Sequence, residues 1–250
     1  MRKFLFFLLL TGTVNSFAQT KSLVSVLMVK PKIGKQQKFE EAWVAHLKKY
    51  HQADTTNHRA VFEIVSGTRT GCYYITDGNL SWADMDVERS TDKAHDMDYA
   101  STVASTIESE SGDIIYRWAD TLSYNPNVQA TKFVITAYHC KPGKQNDITD
   151  EIKRAIAVNK QINSPMSYNG YIQTLSGSQP VVIIIRNLKD GFKEMDGDYY
   201  KGLNDQFKAA YIQMFGQAQW DKRTTALADL TELTEQEMIK VRPDLSSTTK

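Results

Sequence analysis

Residues 23–36 read LVSVLMVKPKIGKQ, and residues 132–145 read KFVITAYHCKPGKQ. Each stretch is an apolar run that ends in a Gly-Lys-Gln turn, and the offset between them is 109. Working outward, Ser66-Gly67 recurs as Ser176-Gly177 and Met85-Asp86 as Met195-Asp196, both offset by 110. Trp82 matches Phe192. Three short matches in one order at nearly one offset mark a duplicated unit. The stripe Phe39, Trp43 and Leu47 matches Ile148, Ile152 and Ile156, an i, i+4, i+8 pattern that predicts one apolar helix face in each copy.

Each copy reads as strand, helix, strand, strand, helix, strand. The first has strands over 22–30, 60–68, 71–78 and 113–123, and helices over 35–53 and 90–110. The second has strands over 131–140, 167–175, 180–187 and 222–230, and helices over 144–162 and 199–217. Gly67 and Gly177 supply the positive φ of hairpin turns. Asn125-Pro126-Asn127 punctuates the join, so the units span 19–125 and 126–230, with 231–250 a polar, loose C-terminal tail. Val24, Val26 and Met28 alternate with Leu23, Leu27 and Val29, so both faces of the first strand are apolar and need cover. Two helices cover one sheet face, and the second copy is the natural cover for the other.

This arrangement resembles the dimeric α/β-barrel superfamily, as a fused tandem pair over roughly residues 20–230. The resemblance implies an α+β fold of two ferredoxin-like βαββαβ units, their antiparallel sheets packed face to face as an intrachain barrel. It also implies a monomer, because the duplication supplies the partner that single-copy members gain by dimerising. Relatives of this fold include cofactor-free monooxygenases, haem enzymes and small isomerases, and one fold with many chemistries does not name a function.

The N-terminus reads as an address. Arg2 and Lys3 precede the apolar run Phe4–Leu10, and Ser16-Phe17-Ala18 offers small residues for cleavage. This is the pattern of a signal peptide over 1–18, cut after Ala18, which directs the mature chain to the periplasm or the exterior. No later stretch reaches the roughly 18 apolar residues of a membrane helix. Thirty basic against twenty-nine acidic residues leave a net charge of +1, too little basic excess for a dedicated nucleic-acid binder. Phosphate-loop, dinucleotide, zinc-protease, hydrolase and haem-attachment motifs are all missing from the sequence. Cofactors and metals are therefore not expected. Cys72 and Cys140 read as two separate buried thiols.

The histidines are uneven. His46, His51, His58 and His95 lie in the first copy and only His139 in the second. Trp43, His46 and Tyr50 share the apolar face of the first helix, where the second copy has Ile152, Ala155 and Asn159. Tyr116 and Trp118 alternate onto one strand face, with counterparts near Ala226 and Ala228. These five aromatic and imidazole side chains would line a first-unit pocket for an apolar or aromatic small molecule. Two other readings stand beside this binder. In one, a cofactor-free monooxygenase or isomerase uses His46 as general base. In the other, a structural or partner-binding module has no pocket and the aromatics are core. Trp82 and His95 resemble a haem-site pair, although the first-strand Asn of haem-degrading relatives has no counterpart between Ser22 and Lys30. Asp84, Asp86, Glu88, Asp92, Asp96 and Asp98 read as a solvated helix start.

Overall fold

Alternating apolar residues form the strands, and stripes at helical spacing form the helices laid against them. The computed structural model describes residues 21–51, 59–86, 93–175 and 179–247. The expected leader, His58, Glu88, Asp92 and the Ser176-Gly177 turn lie outside the described residues. In the first half come β1 (Leu23–Pro31), α1 (Gln36–Tyr50), β2 (Arg59–Ser66) and β3 (Tyr73–Leu80). Short helices α2 (Trp82–Asp86) and α3 (Lys93–Asp98) follow, the latter winding on through irregular turns to Thr106. β4 (Ile107–Glu110) and β5 (Ile114–Trp118) close the half. The second half runs β6 (Lys132–Cys140), α4 (Gln145–Gln161), β7 (Tyr168–Leu175), β8 (Val181–Leu188), α5 (Leu203–Phe215), α6 (Gln217–Leu230) and β9 (Thr231–Val241).

The two sheets do not pack face to face as separate layers. They join edge to edge into one closed ring, β1-β3-β2-β9-β6-β8-β7-β5 and back to β1, with every pair antiparallel. The seams are β2 with β9, from Phe62↔Val241 to Ser66↔Met238, and β5 with β7, from Ile115↔Leu175 to Trp118↔Tyr171. A lone sheet leaves unpaired backbone groups along two edges, and closure removes both edges. β4 continues the line of β5 along β1, where the Ser111 hydroxyl accepts from the Met28 amide at 2.9 Å.

The C-terminal part corrects the sequence expectation twice. Residues 222–230 belong to helix α6, and the supposed tail 231–250 supplies β9, which bonds β6 on one side and β2 on the other. Val24 pairs with Tyr116, and its repeat partner Phe133 pairs with Ile239, so the offset of 109 has grown to 123 across the second helical region. The extra residues are spent on α6, which starts after Gly216. The register counterpart of Tyr116 is therefore Ile239, not a small residue near Ala226. Beyond β9, residues up to Ser247 stay bonded to the barrel. Ser247 N–H donates to the Arg59 carbonyl, and the Leu245 carbonyl accepts from the Trp43 indole at 2.8 Å.

Both faces of β1 are covered, as its composition requires. Outside, Val29 packs with Phe39, Trp43, Leu47, Val61, Tyr73 and Leu245 beneath α1. Inside, Val24, Val26 and Met28 face the ring's interior. Gly67 turns the β2–β3 hairpin at φ 116°, and a Cβ there would come within 2.9 Å of Glu237 Cγ. Cys72 and Cys140 are both buried and unpaired, and burial raises the pKa of each thiol.

Candidate functional site

The ring encloses a cavity of about 700 Å³. Its wall is the inward residues of strands from both halves, including Val26, Phe62, Ile135, Ala137, Ile183 and Ile239. Because neighbouring strands alternate in direction around the ring, the C-terminal end of β2 and the N-terminal end of β8 lie at the same rim. Arg69, between β2 and β3, and Gln179, just before β8, both line the cavity.

Polar groups at that rim form a connected chain. Arg69 Nε donates to Glu237 Oε1 at 2.7 Å, and the Tyr74 hydroxyl donates to Glu237 Oε2 at 2.7 Å. The Arg69 guanidinium also lies 3.6 Å from Glu235 Oε2, the oxygen that His139 Nε2 meets at 2.9 Å. Glu237 is only 2% exposed, so its charge depends on these partners. Burial works against the Arg69 charge, but Glu237, Tyr74 and Glu235 together more than offset it and the guanidinium is held above its ordinary range. Burial pushes the Tyr116 hydroxyl up to about 12, so it enters the cavity as a neutral phenol. Chemically, the site is an apolar chamber with one charged, hydrogen-bonding end.

The five residues expected to share one pocket do not all come together. Tyr116 lines the cavity. Trp118, on the same strand, is half-buried and outside the cavity lining. Trp43, His46 and Tyr50 lie in the outer layer, and none of them lines the cavity. Trp43 and His46 are buried, and Tyr50 donates its hydroxyl to the Ala94 carbonyl at 3.0 Å. The space between a helix and its sheet appears in the second half instead. A smaller hollow of about 300 Å³ there is lined by Ile152, Ala155 and Asn159, the repeat counterparts of Trp43, His46 and Tyr50. Large rings fill the first-half position, and short side chains leave the second open.

His46 is drawn into a different cluster. Its Nδ1 donates to Asp98 Oδ2 at 2.9 Å, and Lys49 holds the other carboxylate oxygen at 2.7 Å. Asp98 is thus an ion-pair partner rather than a solvated helix-start acid. Burial lowers the His46 pKa, and Asp98 opposes that shift. The ring packs against His95, with centroids 4.7 Å apart, and against His51 at 5.3 Å. His95 Nε2 lies 3.2 Å from His51 Nε2. One ring nitrogen from each of the three comes within 4.8 Å of the others. Trp82 is 44% exposed on α2, and neither it nor His95 lines the barrel cavity, so the haem-type pair is not assembled there.

Sequence reasoning missed Arg69, Tyr74, His139, Glu235 and Glu237 as one group. The visible signal was the alternation of Glu235, Glu237 and Ile239 against Gln236, Met238 and Lys240, a strand pattern with acids on one face.

No known family's sequence profile matches the chain, and no curated protein matches it. Solved structures do. An anthrone oxidase-like protein superposes with a TM-score of 0.57 at 10% identity, covering 89% of this chain and 92% of that one. A candidate monooxygenase from Fusobacterium nucleatum gives 0.52 at 15% identity, covering 89% and 93%. Chlorite dismutase from Candidatus Nitrospira defluvii, solved with imidazole, gives 0.50 at 8% identity, covering 90% and 92%. The fold is that of the dimeric α/β barrels. Identities this low carry the fold and no activity.

Proposed function

We propose that this dimeric α/β barrel is an exported small-molecule-binding protein that takes an apolar or aromatic ligand into the barrel interior. The cavity carries the reading. Its volume lies within the roughly 300–1,000 Å³ of small-molecule sites, and it joins an apolar wall to a few convergent polar groups. A ligand with a hydrocarbon or aromatic body and one polar end matches that wall and the Arg69–Glu235–His139 rim. Export rests on the sequence of residues 1–18. No helix among the described residues is long and apolar enough to cross a membrane.

An enzymatic reading has one supporting observation. His139 lines the cavity with a carboxylate, Glu235, on its Nε2, and a ring so oriented offers its other nitrogen as a general base. The base for a cofactor-free monooxygenase or isomerase would then be His139 and not His46, which lies outside the cavity lining.

Native mass spectrometry of the protein from its own host, beside an Ala137→Phe variant that fills the cavity, tests the binder. A co-purifying organic mass present in the wild type and absent from the folded variant is the expected result. Equal retention by both would overturn a barrel-interior site. With that ligand in hand, His139→Ala separates the readings, since an enzyme loses turnover and a binder has none to lose.

A further inference from the structure

We infer that His46, His51 and His95 form a binding site for one zinc-class divalent cation, outside the barrel cavity and independent of it. The three rings come from the end of α1 and from α3, and their centroids lie 4.7–5.3 Å apart. A tetrahedral zinc ion with Zn–N bonds of about 2.0–2.1 Å sets its ligand nitrogens about 3.4 Å apart. The His51–His95 separation of 3.2 Å already matches, and the widest nitrogen separation of 4.8 Å must close by little more than about 1 Å.

Two further observations point to a ligand. His46 is 1% exposed, and its buried Nε2 has no hydrogen-bond partner among the described residues. A buried acceptor without a donor is costly, and a metal ion is one group that satisfies it. The second observation is on the far side of the rings. Asp98 accepts a hydrogen bond from Nδ1 of His46, and Asp96 faces Nδ1 of His95 at 2.9 Å. A carboxylate on Nδ1 fixes the tautomer, leaves Nε2 as the lone-pair nitrogen and strengthens it as a ligand. Neutral imidazoles suit zinc, copper and nickel, whereas calcium and magnesium prefer oxygen. Three histidines also leave a coordination position for water or a small ligand. Arg59 donates to His51 Nε2 at 2.9 Å and is the group an entering cation displaces, with Asp77 at 3.4 Å from its Nε.

The test is titration of the untagged, metal-stripped chain with cobalt(II) and zinc(II), read by visible absorption and by thermal unfolding. One equivalent of cobalt with the intense bands of four-coordination, displaced by zinc, is expected, together with a zinc-dependent rise in Tm. The partly exposed His51→Ala and His95→Ala variants should lose both signals, so the test survives even if His46→Ala fails to fold. Asp98→Asn should weaken affinity by about 10–100-fold. A wild type that binds no cobalt, or one whose binding is unchanged in His51→Ala and His95→Ala, would show an aromatic histidine cluster and nothing more.

Discussion

Glu237 shows how one residue ties the barrel wall to the cavity. Its carboxylate is buried on β9, with one oxygen facing Arg69 of the β2–β3 hairpin and the other facing Tyr74 of β3. Removing one partner of a buried ion pair leaves an uncompensated charge, whereas replacing both with apolar groups avoids that penalty. Arg69→Ala should therefore destabilise the protein by on the order of 3 kcal/mol. The double variant Arg69→Met, Glu237→Leu should regain most of the loss in chemical denaturation. If the double variant is no more stable than Arg69→Ala, the ion pair is not what holds the hairpin against β9. Gly67 belongs to the same contact, since its missing side chain lets the hairpin approach Glu237.

Among the elements, β9 decides the architecture. It lies between β2 and β6 and so joins the two halves. Its sequence, TELTEQEMIKV, reads as polar because the inward positions hold Glu235 and Glu237, acids that face an arginine and a histidine inside the barrel. In isolation those residues look like a solvated tail. The same limit applied to α6, since extrapolating the repeat offset could not show an inserted helix. A chain ending at Leu230 keeps both halves' first three strands but leaves β2 and β6 without a partner on that side. Such a chain should lose its cooperative thermal transition. A retained two-state transition by circular dichroism would mean that each half folds without the ring being closed. In α1 the reading was sound at the level of the helix and its buried face. It went astray on what lay beneath, because large rings there filled space instead of enclosing it.

For the whole molecule, duplication turns two open sheets into one wall. The second half supplies, within the same chain, the strands that close the sheet of the first. If the leader is cut as proposed, the protein should run as a single chain beginning at Gln19 when its intact mass and its light-scattering mass are measured together. A mass of two chains would show that an outer face of the barrel is itself an interface. An intact mass that retains residues 1–18 would remove the argument for export.

The amino-acid sequence by itself determined the repeated pattern of the two halves, the strands β1, β2 and β3, the helices α1 and α4, and the need of β1 for cover on both faces. Those features are local: periodicity and turn residues act within a few positions of the chain. It did not determine the end of the first half, where strand β4 occupies 107–110 of the expected helix 90–110 and β5 stops at Trp118, short of the expected 123. Only the tertiary structure decided which strand fills each place in the ring, and hence that the interior belongs to both halves. It also decided that Arg69 meets Glu237, that Tyr116 is separated from Trp43 and His46, and that His95 meets His46 and His51. Such pairings join residues tens to hundreds of positions apart. Backbone hydrogen bonding across the closed ring, and the packing of helices on its outside, select them, and no single segment's pattern contains that information.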